Sequence, residues 1–319
     1  MTHFDVFNGD ADGICALTQL RQAEPREAAL VTGVKRDINL LDRVDATSGS
    51  LVTVLDVSLD KNRAGLDRVL AAGAEVFYCD HHFAGEIPEH SNLQARINTA
   101  PDVCTSLLVN GYLDGAYLEW AIVGTFGDNL KQSAQRLARP LGLSEATLQH
   151  LENLGVYINY NGYGPSLEDL HFDPAELYRL VSGYASPLDF MSDGQAHFQK
   201  LEHGYREDMA AAAAVVPEYE DAAVAAFLLP DEAWARRVSG VYSNDLANRH
   251  PSRGHAVITA KANGNYLVSV RAPLDNKTGA DELCMQFPTG GGRSAAAGIN
   301  DLPADMLAGF IDTFAGFYG

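Results

Sequence analysis

Residues 74–85 read AEVFYCDHHFAG. The apolar part is too short for an ordinary helix and rich in aromatic and branched side chains, so it reads as a buried β-strand. It ends abruptly in Asp80, His81 and His82, then opens into a turn at Gly85. Similar short apolar runs stand at 3–8 (HFDVFN), 28–34 (AALVTGV) and 50–57 (SLVTVLDV). Between them, GICALTQLRQA (13–23) and NRAGLDRVLAAG (62–73) space their apolar residues at helical period, the second closing on Gly73 as a C-cap. Strands buried on both faces and alternating with helices predict a doubly wound parallel sheet.

In such a sheet the carboxyl ends of the strands converge on one crevice. Three strand ends here carry polar residues able to bind a metal. They are Asp10 and Asp12 in NGDADG (8–13), Asp56 in LDVS (55–58), and Asp80-His81-His82. Asp128, in GTFGDN (124–129), ends an apolar helical run and can reach the same place. Any one of these acids alone reads most simply as a turn former or helix cap. NGDADG also matches the opening of a calcium loop, but its twelfth position is Gln19 and a strand precedes it, which rules that loop out. Four carboxylates with one or two imidazoles cannot sit together uncompensated, and divalent cations resolve the repulsion. Oxygen and imidazole donors suit manganese or magnesium better than a thiolate zinc site. Two metals about 3.5–4 Å apart, bridged by a carboxylate, are the usual apparatus for hydrolysing phosphate esters.

The 319-residue chain has room for two domains, and 46% hydrophobic with 20% charged residues is a globular composition. No apolar run approaches the roughly 18–20 residues of a membrane span, and no export signal opens the chain, so a cytoplasmic location is expected. Cys15, Cys79, Cys104 and Cys284 are widely spaced, as buried free thiols are. A net charge of -19 without a basic cluster argues against gripping long nucleic acids.

Together these residues resemble the DHH phosphoesterase superfamily over nearly the whole chain. NGDADGICA is similar to its first motif, VLDVS to the second, CDHH to the third and GTFGDN to the fourth. VSGVYSNDLA (238–247), LVSVRAPL (267–274) and TGGGRSAAAG (289–298) resemble, in order, the associated DHHA1 domain. The resemblance implies two manganese ions, with magnesium or cobalt as substitutes. By position, Asp10 binds the first ion, Asp12 the second, and Asp56 bridges them, while His81 and Asp128 complete the second. His82 meets the substrate phosphate, and Asp80 orients an imidazole. Two departures from the family pattern bear on the site. Where many members have histidine, four residues before the first aspartate, this chain has Val6. Where the RecJ-like branch has aspartate, it has Asn8, a weak carbonyl ligand or the holder of a water. The first ion is thus short of a ligand.

The second departure is Arg293, where the family often has histidine. With Gly290, Gly291 and Gly292 it forms a phosphate pocket, and Arg271 is a second clamp. The expected layout is residues 1–215 as the metal-binding domain and 222–319 as a smaller α/β domain, with the active-site cleft between them. The hairpin signal Asn263-Gly264 falls in the second. VYINYNGYG (156–164) reads as a packed helix connection, and Cys104-Thr105-Ser106 as a helix cap near the site. The apolar C-terminal helix either packs internally or pairs two chains. With no oligonucleotide-binding module and this charge, the expected substrates are linear dinucleotides or very short oligonucleotides. Pyrophosphate or short polyphosphate is the alternative, and a non-catalytic nucleotide sensor the third.

Overall fold

The computed structural model describes residues 2–319. The chain divides into two compact units, Met1–His203 and Gly204–Gly319. In the first, strands β1 (His3–Phe7), β2 (Ala29–Val31), β3 (Leu51–Leu55), β4 (Glu75–Asp80) and β5 (Leu93–Ile97) form one parallel sheet in the order β2-β1-β3-β4-β5. The chain runs outward from β1 to β2 and returns on the other side at β3. The topological switch point therefore lies between β1 and β3.

Alternation along the strands serves two different faces. Val6, Val52, Val54, Val76 and Tyr78 pack with Leu41 and with Leu66, Val69 and Leu70 of helix α2. Helix α1 spans Ala11–Ala23 and α2 spans Arg63–Ala71. From the other parity, Asp5 and Thr53 both receive the guanidinium of Arg21 on α1, a buried polar tie among apolar neighbours. Gly73 follows the end of α2 at φ +82°, a conformation that glycine adopts at no steric cost.

The helical stretch comprises α3 (Thr105–Tyr112), α4 (Leu118–Gly127), α5 (Lys131–Ala138), α6 (Glu145–Asn161), α7 (Pro174–Ser182), α8 (Pro187–Asp193) and α9 (Gln195–Ala213). Helix α1 packs on α3, α4, α6 and α7. Thus one helix begins at the switch point and carries the rest of the helical layer. The strand β5, LQARI, is absent from the sequence reading. It is a half-exposed edge strand whose Gln94 and Arg96 break the apolar run.

The second unit holds β6 (Tyr219–Glu220), β7 (Val224–Leu229), β8 (Gly254–Ala260), β9 (Tyr266–Arg271), β10 (Gly290–Arg293) and β11 (Ala296–Leu302), with α10 (Ala233–Arg249), α11 (Ala280–Cys284) and α12 (Leu307–Tyr318). The sheet order is β10-β11-β9-β8-β7-β6. Only β7 and β8 are parallel, joined by α10 as the crossover. The hairpin at Asn263-Gly264 joins β8 to β9, with Gly264 at φ +86°. Helix α12 buries Phe310 and Phe314 in this unit's own core and leaves Phe317 exposed. No helix among the described residues is long and apolar enough to cross a membrane.

Candidate metal centre

Backbone hydrogen bonds tie consecutive strand ends together: Asn8 N–H to Leu55 O (3.2 Å), Asp56 N–H to Cys79 O (3.1 Å) and Asn98 N–H to Asp80 O (3.2 Å). They align residues 8–12, 56 and 80–82 along one edge of the sheet. Asp10 is the N-cap of α1, its carboxylate accepting from Gly13 N–H at 3.1 Å. A Cβ on Gly13 would stand 2.2 Å from Asn8 O, so this turn closes only around glycine. Asp56 sits at φ +60°, a left-handed conformation costing roughly 1–3 kcal/mol in a non-glycine residue. Aspartate adopts this conformation more readily than a bulky or branched residue does.

Asp12 is anchored from far along the chain. One of its oxygens accepts from Thr105 N–H and the other from Ser106 N–H, both at 2.7 Å. These are the first amides of α3, whose N-cap Cys104 makes no side-chain capping bond. A carboxylate from another helix therefore does the capping, where the helix dipole favours negative charge. The Thr105 hydroxyl donates to Asp56 Oδ1 at 3.1 Å. The expectation that 104–106 caps a helix near these acids holds, with Cys104 as the N-cap residue of α3, and the hydroxyl of Thr105 in addition touches Asp56.

His81 Nδ1 lies 2.9 Å from Val103 O. A carbonyl only accepts, so Nδ1 carries a proton, and in the neutral ring Nε2 presents its lone pair. That nitrogen faces Asp56 Oδ1 at 3.5 Å, Asp12 Oδ2 at 3.9 Å and Asp128 Oδ2 at 3.9 Å. Asp128 follows α4 as its C-cap. Donor atoms of Asp12, His81 and Asp128 lie within 4.8 Å of one another, as do those of Asp56, His81 and His82. Lone pairs aimed at one another from buried oxygens and an imidazole fit a divalent cation.

Burial, then the charges of Asp12, Asp10, Asp80 and Asp128, push the Asp56 carboxyl well above the usual carboxylate range. Burial also raises Asp128, against the opposing influence of His81. Burial and Asp12 push the thiols of Cys15, Cys79 and Cys104 upward too.

Asp80 is fully buried, and its Oδ1 lies 2.8 Å from His82 Nδ1. The imidazole it orients is thus His82, not the cation-facing His81. The side chain of His82 is 34% exposed, against 4% for His81 and 14% for Asp128, so it is the most accessible of the three.

Lys35 and the two side chains around it, Asn159 and Tyr163, escaped the sequence reading as site residues. Lys35 follows β2, and its ammonium is paired with Asp10 and donates to Asn159 Oδ1 at 3.0 Å. Burial opposes its charge, but Asp10, Tyr163 and Asp128 hold the ammonium above a lysine's ordinary pKa. For Asp10 itself, burial would raise the carboxyl, while the charge of Lys35 brings it below the usual range. Asn8 Nδ2 donates to Lys35 O at 3.2 Å, and Asn8 Oδ1 is buried without a partner. The stretch 156–164 divides between roles: Asn161 braces the Phe172 backbone, whereas Asn159 and Tyr163 surround Lys35.

The predicted phosphate residues lie in the second unit. Arg271 and Arg293 both stand in register with Ala296, on β9 and β10, so they share one rung and one sheet face. Arg271 donates to Asn244 Oδ1 at 2.7 Å. Arg293 is exposed. Gly290, Gly291 and Gly292 are not a loop nest but the body of strand β10, at the edge of the sheet. A Cβ would strike Cys284 O at 1.8 Å from Gly290 and Ala297 Cα at 2.4 Å from Gly292, whereas Gly291 faces open space. Two of these glycines are therefore required by close packing.

No protein-family model matches the sequence, and no curated protein matches it. Solved structures do match in fold. An exonuclease RecJ bound to manganese aligns over 99% of this chain and 90% of its own, at 16% identity and TM-score 0.64. A pGpG-specific phosphodiesterase from Vibrio cholerae, PggH, aligns over the full length of both, at 14% identity and TM-score 0.56. An exopolyphosphatase-related protein from Bacteroides fragilis aligns over 99% of this chain and 90% of its own, at 14% identity and TM-score 0.51. The chain has the two-domain α/β fold of the DHH proteins. Residues 8–12, 56 and 80–82 stand at the carboxyl ends of its parallel sheet, with Asp128 at the end of α4.

Proposed function

We propose that the protein is a divalent-metal-dependent phosphoesterase, with manganese as its metal, that hydrolyses linear dinucleotides of the pGpG or pApA type and very short oligonucleotides to mononucleotides. The observation that carries this reading is His81 Nε2, facing Asp12, Asp56 and Asp128 within 3.9 Å with its proton committed to Val103 O. A cation held there supplies Lewis-acid polarisation of a phosphoryl oxygen and a more acidic water. The chain supplies rigidity: two α3 amides fix Asp12, Thr105 fixes Asp56, and Val103 fixes His81. His82, steered by Asp80, donates a hydrogen bond or proton to the phosphate or the leaving oxygen.

The preference for short substrates rests on the net charge of -19, which repels long polyanions, and on the fold shared with a pGpG-specific phosphodiesterase. Arg293 and Arg271 serve as further phosphate-binding side chains, with the outward edge of β10 beside Arg293. Two ions, as the resemblance implies, would require Asp10 and Asn8 to hold the first. The fold shared with an exopolyphosphatase-related protein favours pyrophosphate or short polyphosphate as the second reading.

The test is turnover with manganese on pGpG, pApA, a short RNA, long single-stranded DNA, pyrophosphate and polyphosphate, with His81→Ala as control. Dinucleotide cleavage that the variant loses supports the proposal. Phosphate release from the inorganic substrates alone transfers the assignment to the second reading. Nucleotide binding without turnover makes the protein a sensor.

A further inference from the structure

Asp10 differs from the other acids of the site in having a resident cation. The ammonium of Lys35 is paired with its carboxylate, donates to Asn159 Oδ1 and lies 5.5 Å from the Tyr163 ring centroid. The lysine backbone is held on both sides, its N–H donating to Gly162 O at 2.8 Å and its carbonyl accepting from Asn8 Nδ2 at 3.2 Å. An anion, a neutral acceptor, an aromatic face and two backbone ties make a built seat for one ammonium.

The other acids pair with imidazoles rather than with a lysine or arginine. His81 Nε2 confronts oxygens of Asp12, Asp56 and Asp128 directly. Asp10 belongs to neither group of clustered donor atoms. With its charge already neutralised, Asp10 brings no net attraction for a dication, and Asn8 offers only a neutral carbonyl. A second dication would also face the repulsion of an ammonium across a shared carboxylate.

We propose that this centre binds one divalent cation, through Asp12, Asp56, His81 and Asp128, and that the Lys35 ammonium is the fixed second cation, seated at Asp10. The inference rests on the reading of this site as a metal centre and concerns the number of ions, not the substrate. Lys35 then supplies, as part of the chain, positive charge that would otherwise come from a second ion.

The test is manganese stoichiometry of the full-length protein by equilibrium dialysis with elemental analysis, together with its electron paramagnetic resonance spectrum. The expected result is one manganese per chain with an uncoupled mononuclear spectrum, unchanged in Lys35→Arg. Lys35→Met, its folding checked by circular dichroism, is expected to take up a second ion and show an exchange-coupled spectrum. Two ions in the unaltered protein overturn the proposal, as does a folded Lys35→Met that still binds only one. A protein that takes up no manganese overturns the metal-centre reading itself. Absence of phosphodiester turnover at one bound ion leaves the ion count standing and removes only the proposed substrate.

Discussion

Replacing Asp80 by asparagine separates the cation from the imidazole that works beside it. The carboxylate is fully buried, bonds His82 Nδ1 at 2.8 Å through Oδ1, and leaves Oδ2 without a partner. Asparagine keeps the volume and an acceptor oxygen for the ring N–H, so His82 retains its orientation and loses only the charge behind it. A hydrogen bond to a charged group contributes roughly 1.5–3 kcal/mol. If that support is felt fully in the transition state, kcat falls roughly 10- to 150-fold. Asp80 belongs to neither group of clustered donor atoms, so manganese affinity and KM are expected to stay within about threefold, well short of the loss expected from a second-shell change at a ligand. The assay is steady-state hydrolysis of the dinucleotide cleaved fastest, at several manganese concentrations, beside direct manganese titration. A variant whose lost activity returns when manganese is raised would make Asp80 a ligand and refute the reasoning. So would an unchanged kcat, because His82 would then need no support from Asp80.

Thr105→Val removes the hydroxyl that donates to Asp56 while preserving shape, and manganese binding is expected to weaken roughly 10- to 100-fold in a titration. Arg293→Ala is expected to raise KM for a dinucleotide by at least about tenfold, with kcat little changed, in the same kinetic assay. His255 is buried without a partner on either ring nitrogen. Burial, then the charges of His250 and Arg253, lowers its pKa from 6.5 to about 4. The unfolded chain takes up that proton more readily. Stability is therefore complete above pH 6.5 and falls as pH drops toward 4, by at most roughly 3 kcal/mol from this group. Urea titrations of the protein and of His255→Leu at pH 7.5 and 5 check this, the variant being expected to lose less stability on acidification.

Much of the site was legible because its acids and histidines occupy positions with topological meaning. Asp10, Asp12, Asp56, Asp80, His81 and His82 follow strands of a parallel sheet, and apolar runs show where those strands stop. The same rule applied to the second strand would have pointed to Lys35. The apolar run 28–34 ends immediately before Lys35, but an ammonium ligates no cation, so it did not stand out beside the acids and histidines. The clamp on Asp12 had no signature at all, since it is made by backbone N–H groups, which every residue but proline possesses. In the second unit, Gly290–Gly292 read as a phosphate pocket because glycine lets backbone N–H groups approach an anion closely. The structure uses two of them for contacts too close for a side chain, and those depend on neighbours distant in sequence.

The buried thiols give the acidic cluster a chemical selectivity. Cys15, Cys79 and Cys104 all feel the negative charge of Asp12 on top of burial, which keeps their sulfurs protonated. A protonated thiol is a poor partner for zinc, cadmium or copper and a slow reductant of peroxide. The charge that draws in a hard ion thus also disarms the soft ligands around it. A peroxide finds correspondingly little thiolate to attack around the acidic cluster.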